Sequence, residues 1–199
     1  MGSVRVHSDF GVYLESLQIR DADSIAENAN DYELARGVGL SHFPHPYGRS
    51  DALAFIERAT AAFAGGIETH FGIHMDDGTL IGILGLSGLD KADRKGEAGY
   101  WLGRKYWGKG YGKKAVRLLL HFGFEDISLN RISALVYPFN ETSAKLLRGL
   151  GFQKEGTLRE ASTDGKIMLD ADIFALLKKD YREDADIVTE GFDAGSFAH

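Results

Sequence analysis

The stretch GRKYWGKGYGKKAVRLLL, residues 103–120, sets Gly108, Gly110 and Gly112 among Arg104, Lys105, Lys109, Lys113, Lys114 and Arg117 and holds no acidic residue. Glycine lets a backbone approach an anion closely and turn through positive φ. A helix starting behind such a loop offers unsatisfied N–H groups with the positive end of its dipole behind them. The chemistry is that of an anion cradle. Lys113, Lys114 and Arg117 crowd the helix end where positive charge is unfavourable by ~0.3–1 kcal/mol each, a penalty that a bound polyphosphate reverses. Two phosphate loops fit incompletely. Gly110 stands where a Walker A loop needs a Ser or Thr hydroxyl for Mg²⁺, and Lys113 stands where the Rossmann fingerprint needs its third glycine.

Other candidate groups are histidines. His70 and His74 alternate onto one face of a predicted strand, and an imidazole suits proton shuttling near neutral pH. His42 and His45 flank Phe43 and Pro44 as an H-x-x-H pair, but no further ligand is spaced to complete a site, so no metal is predicted. The absence of cysteine excludes disulfides, thiolate metal sites and a Cys nucleophile.

The elements that must position these groups follow from periodicity. Val12 to Ile19 reads as a strand, and Asp21 and Asp23 open a helix through Ile25 to Asn30. SHFPHPYGRS is a loop, and Ser50 and Asp51 cap the helix DALAFIERATAAFA. HFGIHM, LIGILGLSGL and EAGYWLG form three strands of a meander that leads into the glycine loop and a helix from Lys113 to Phe124. RISALVY, the helix NETSAKLLRGLGF and the strands FQKEGTL and IMLDADIFALL follow. A phosphate loop behind an antiparallel meander weighs against Walker A and Rossmann folds, which place it after a strand of a parallel sheet.

A chain of 199 residues, 44% hydrophobic, is long enough for one core. Its net charge of −6 argues against broad nucleic-acid binding, which needs a cationic surface. No apolar run approaches the ~18 residues of a membrane span, and MGSVRVHSDF lacks the apolar centre of a secretory signal, so a cytoplasmic location without membrane association is expected. After Tyr181 the acidic REDADIVTEGFDAGSFAH reads as a loosely held tail. Its Ile187, Val188 and Phe192 could dock on a neighbour, leaving a homodimer open. The expected organisation is an extension at 1–11, a domain at 12–181 and a tail at 182–199.

WGKGYG resembles the Q/R-x-x-G-x-G/A pyrophosphate motif of the GNAT superfamily of N-acetyltransferases, with Trp107 in the region of the usual Gln or Arg. FPHPYGRSDALAFI, EAGYWLGRKYWGKGYGKKAV, NETSAKLLRGLGF and DADIFALLKKDY are similar, in that order, to the RimJ/RimL branch, and the likeness spans about residues 12 to 181. The resemblance implies an α+β fold whose central mixed sheet, mostly antiparallel and splayed, has about six to seven strands with helices on both faces. It implies acetyl-CoA as cofactor and an amine acceptor, a protein N-terminus or a small molecule. The pyrophosphate would lie on backbone N–H groups of Trp107, Gly108, Lys109, Gly110, Tyr111, Gly112 and Lys113. The pantetheine would pair with Tyr100, Trp101 and Leu102, and Asn140 falls where the branch contacts the pantetheine or acetyl region.

Direct attack on the thioester needs a neutral amine, hence a group to take its proton, and an acid for the departing thiolate. The resemblance implies Glu97, the acidic residue of E-x-G-Y, as the base and Ser143 of N-x-x-S as the acid; His70 and His74, from their place on the predicted strand, are further candidate bases. Leu147 stands where many family members carry an acidic tyrosine, which motivates an alternative: a non-catalytic CoA-binding module of the same fold.

Overall fold

The computed structural model describes residues 3–39, 43–163 and 166–197. In chain order the elements are β1 (Arg5–His7), β2 (Val12–Ser16), α1 (Ala22–Ala29), α2 (Tyr32–Val38), α3 (Arg49–Ala64), β3 (Thr69–Met75), β4 (Leu80–Asp90) and β5 (Lys95–Leu102). Then come α4 (Tyr111–His121), β6 (Arg131–Val136), α5 (Glu141–Arg148), β7 (Gln153–Thr163), β8 (Met168–Leu177) and β9 (Val188–Glu190). Local chemistry explains the helix starts. The Asp31 carboxylate accepts from the Leu34 amide at 3.0 Å to cap α2, and the Asp51 carboxylate accepts from the Gly48 amide at 2.8 Å at the start of α3.

One sheet of nine strands runs in the order β7-β8-β6-β5-β4-β3-β2-β1-β9. The β5–β6 pair is parallel and every other neighbour is antiparallel. The parallel pairing covers Lys95↔Arg131, Gly96↔Ile132 and Glu97↔Ser133 and then stops. Beyond it β5 stays with β4 as far as Leu102 and β6 stays with β8 as far as Val136. The sheet is therefore split in its middle, with Glu97 at the apex of the split.

Side chains alternate between the two faces. On one face Ala22, Ile25, Leu34, Ala52 and Ile56 of α1 to α3 pack with Leu80 and Ile83. On the other, α4 buries Ala115, Val116, Leu118 and Leu119 with Phe71, Leu84 and Ala98. No helix among the described residues is long and apolar enough to cross a membrane.

The sheet has nine strands where about six to seven were expected. The two extra strands come from segments expected to lie outside the domain. β1 pairs with both β2 and β9, so residues before Val12 and after Tyr181 join the same sheet. The tail is held by packing: Ile187 and Phe197 are buried, Phe192 meets Phe122 edge to face at 4.9 Å, and the Thr189 hydroxyl donates to Asp126 at 2.6 Å. Apolar area removed from water is the reason an acidic segment stays in place.

Candidate active site

The glycine loop ends in Gly110, the N-cap of α4, with φ of 81°. Gly108 has φ of 72°, and a Cβ at either glycine would meet nothing within 4 Å. These two glycines are set by conformation, and the space before the helix N-terminus is open. Gly112 differs: a Cβ there would come within 3.1 Å of both Leu102 and Leu146, so its smallness serves packing of α4 on β5 and α5.

The cations divide in the same way. Lys113 and Lys114 form no ion pair among the described residues, and Lys109 lies 5.9 Å from the Tyr106 ring. Arg104 pairs with Asp31 at 3.5 Å and Lys105 with Glu27 at 2.7 Å, fastening the loop to α1 and α2. Arg117, expected to attract the anion, pairs with Asp184 and lies over the Phe10 ring at 4.1 Å. It fastens the C-terminal segment to the core instead. Replacing Lys113 or Lys114 by Ala should therefore weaken CoA binding about two- to fivefold at low salt, and less as salt rises. Titration at two ionic strengths checks this. Arg117→Ala should lower Tm and leave that affinity alone.

The edge of β5 beyond Glu97 faces the split. The Leu102 carbonyl accepts from the indole N–H of Trp107 at 2.7 Å, and by two-residue alternation the N–H and C=O of Tyr100 point the same way. Tyr100 and Leu102 side chains lie on the α4 face, and Trp101 lies on the opposite face against Phe43. Of the expected pantetheine strand, Trp101 thus contributes its side chain to the other side of the sheet.

Across the split the Tyr100 and Ser143 hydroxyls are 2.7 Å apart. Burial pushes the Tyr100 phenol above its usual range, with the Ser143 bond opposing, so the pair holds two protons for donation. Asn140 caps α5 by accepting from the Ser143 amide at 3.1 Å, which commits its oxygen and leaves its amide nitrogen to donate. Leu147 is fully buried in the core.

On the α3 face lies a cleft of about 350 Å³. Its walls include Phe43, Tyr47, Phe55 and Trp101, and Gly85 and Gly99 form its floor. Glu97 is on this face, two residues before Gly99 and opposite Ser87. Its carboxylate is half-buried without an ion pair among the described residues, and burial raises it above the usual carboxylate range. Glu97 and Ser143 consequently serve opposite faces of the sheet.

The two strand histidines separate. His70 lines the cleft, its Nε2 2.9 Å from Glu68 Oε2 and its ring edge-on to Phe55 at 5.4 Å. His74 lies at the far end of β3, stacked on Tyr13 at 5.2 Å with Nδ1 3.2 Å from the Gly78 carbonyl oxygen. His45 meets Tyr32 at 5.7 Å, and His42 lies outside the described residues. Glu68 was missed in the sequence, where nothing marks it beyond standing two residues before His70.

The loop, the split and the two-sided site coincide with a family match: the acetyltransferase (GNAT) domain matches residues 12–153. The chain belongs to the GNAT acetyltransferase family. Uncharacterized N-acetyltransferase p20 of Bacillus licheniformis is 34% identical over 84% of this chain and 93% of its own. Among solved GNAT folds, RimJ of Mycobacterium smegmatis in complex with CoA-disulfide superposes with a TM-score of 0.80, at 23% identity over 89% of this chain and 88% of its own. The ribosomal-protein-S5-alanine acetyltransferase of Vibrio fischeri gives 0.79 at 22% identity, over 89% of this chain and 99% of its own.

Proposed function

We propose that this GNAT protein transfers an acetyl group from acetyl-CoA to a primary amine by direct attack in a ternary complex. The observation that carries the reading is the split between β5 and β6, with a helix N-terminus on one face and an open cleft on the other. An anion at Gly108 and Gly110 leads the pantetheine along the free edge of β5, so the thioester comes to rest between Tyr100, Ser143 and the apex at Glu97. The amine enters from the cleft, meets the thioester across the gap and needs no covalent acyl-enzyme. That the fold neighbour RimJ of Mycobacterium smegmatis is in complex with CoA-disulfide supports a CoA ligand in general.

Glu97 attracts a cationic acceptor to the apex, and a base on the cleft side of the sheet takes the acceptor's proton. Ser143, backed by Tyr100, protonates the sulfur. The acceptor is a small-molecule amine or a protein N-terminus, and the ribosomal-protein acetyltransferase among the neighbours makes ribosomal N-termini a first choice for assay. The test is CoA-thiol release with acetyl-CoA against a panel of peptide N-termini, polyamines, amino acid amides and amino sugars. Stoichiometric release with an N-acetylated product is expected. Binding of acetyl-CoA with no release from any amine would favour the CoA-binding module.

A further inference from the structure

We propose that His70, held by Glu68, is the group that removes the acceptor's proton, and that Glu97 acts by charge. This rests on the acetyltransferase reading. Among the described cleft residues, Asp51 is committed to the Gly48 amide, and burial pushes the Tyr47 phenol up to about 12 and keeps it protonated. Arg58, over the Phe55 ring at 5.5 Å, is a permanent cation. Tyr100 is engaged with Ser143. His70 remains in the cleft, with Glu97 beyond it at the apex of the split.

Their settings differ. His70 Nε2 faces a carboxylate, and a Cβ built on Gly85 would lie 2.7 Å from His70 Nδ1. With Nε2 carrying the proton that Glu68 accepts, Nδ1 presents a bare lone pair above the glycine floor. The sheet register sets His70, Gly85 and Gly99 in one row across β3, β4 and β5, and a Cβ at Gly99 would meet nothing within 4 Å. The row therefore runs from the imidazole to the mouth of the split without an intervening side chain. Fixing one ring nitrogen with a carboxylate so that the other acts as base is the logic of a hydrolase triad. Glu97 has no such orienting partner among the described residues.

The reaction balances as follows. His70 Nδ1 takes a proton from the incoming ammonium and passes it to solvent through the open cleft. The freed lone pair forms the C–N bond, the C–S bond breaks, and the sulfur takes a proton from Ser143. The new ammonium centre sheds its second proton, which refills the Ser143–Tyr100 pair. One amide, one CoA thiol and one proton result.

Three variants test this on the intact protein with acetyl-CoA and the best amine of the panel. His70→Ala should lower kcat ~10²–10⁴-fold with the KM for acetyl-CoA unchanged. Added imidazole should restore kcat in proportion to its concentration, because the vacated space opens onto the cleft. Glu68→Gln should give an intermediate loss in kcat alone, since it acts through His70. Glu97→Gln should raise the acceptor KM and keep the ascending limb of the pH profile. Should His70→Ala fold poorly, shown by lost acetyl-CoA affinity, His70→Gln carries the same expectation for kcat. A folded His70 variant with normal kcat, or one that imidazole does not rescue while Glu97→Gln abolishes the limb, overturns the assignment and leaves acetyl transfer standing. No transfer by the unaltered protein overturns both.

Discussion

Gly110→Val gives a folded protein whose affinity for acetyl-CoA falls by at least ~10²-fold, the loss expected when a few charge-assisted bonds are removed together. Gly110 sits at φ of 81°, a region that a β-branched side chain occupies only at a cost of about 1–3 kcal/mol. The loop relieves that strain by turning, and its N–H groups turn with it away from the anion. The added methyls also stand in the open space before the helix. Little core is touched, because a Cβ at this position meets nothing within 4 Å. Calorimetric titration with CoA, beside a melting curve, checks both halves. Unchanged affinity in a folded variant would remove the pyrophosphate from this loop. Gly112→Val is a poorer probe, since its side chain would press on Leu102 and Leu146 and destabilise the fold along with the site.

Ser143→Ala and Tyr100→Phe should each lower kcat, and the double variant should be no slower than the slower single. The two hydroxyls form one donor unit at 2.7 Å, so removing either disables the same proton transfer, and losses within a unit do not add. The expected loss is ~10²-fold, the low end for acid–base assistance, because a CoA thiolate also collects protons from water. Acetyl-CoA affinity should hold, since the proton moves in the transition state. Additive losses would mean that the hydroxyls act separately. Normal kcat in both variants would move the acid elsewhere.

The glycine loop, the helix behind it and the meander before it were readable because each is local: alternate glycines, a 3.6-residue stripe and a two-residue period. Two-residue alternation even separates Glu97 from Tyr100. The split was not readable from the residues, because a strand's pattern says which face is buried and nothing about where its pairing with a distant strand stops. It entered through the family resemblance alone. His70 was visible as a candidate while its row with Gly85 and Gly99 was not, since that row exists only once β3, β4 and β5 are in register. Arg117 was misread for the same reason. In sequence it continues a cationic run, and its partner Asp184 lies 67 residues away. The strands β1 and β9 have three residues each, too few to show a period.

The pairing of β1 with β9 brings the two ends of the chain together as a clasp. Phe122 keeps an uncovered side until Phe192 and Phe197 pack on it, so the core on the α4 face closes only with the segment behind β9. The same contacts limit insertions: a bulky one placed between β9 and Phe197 competes with the clasp.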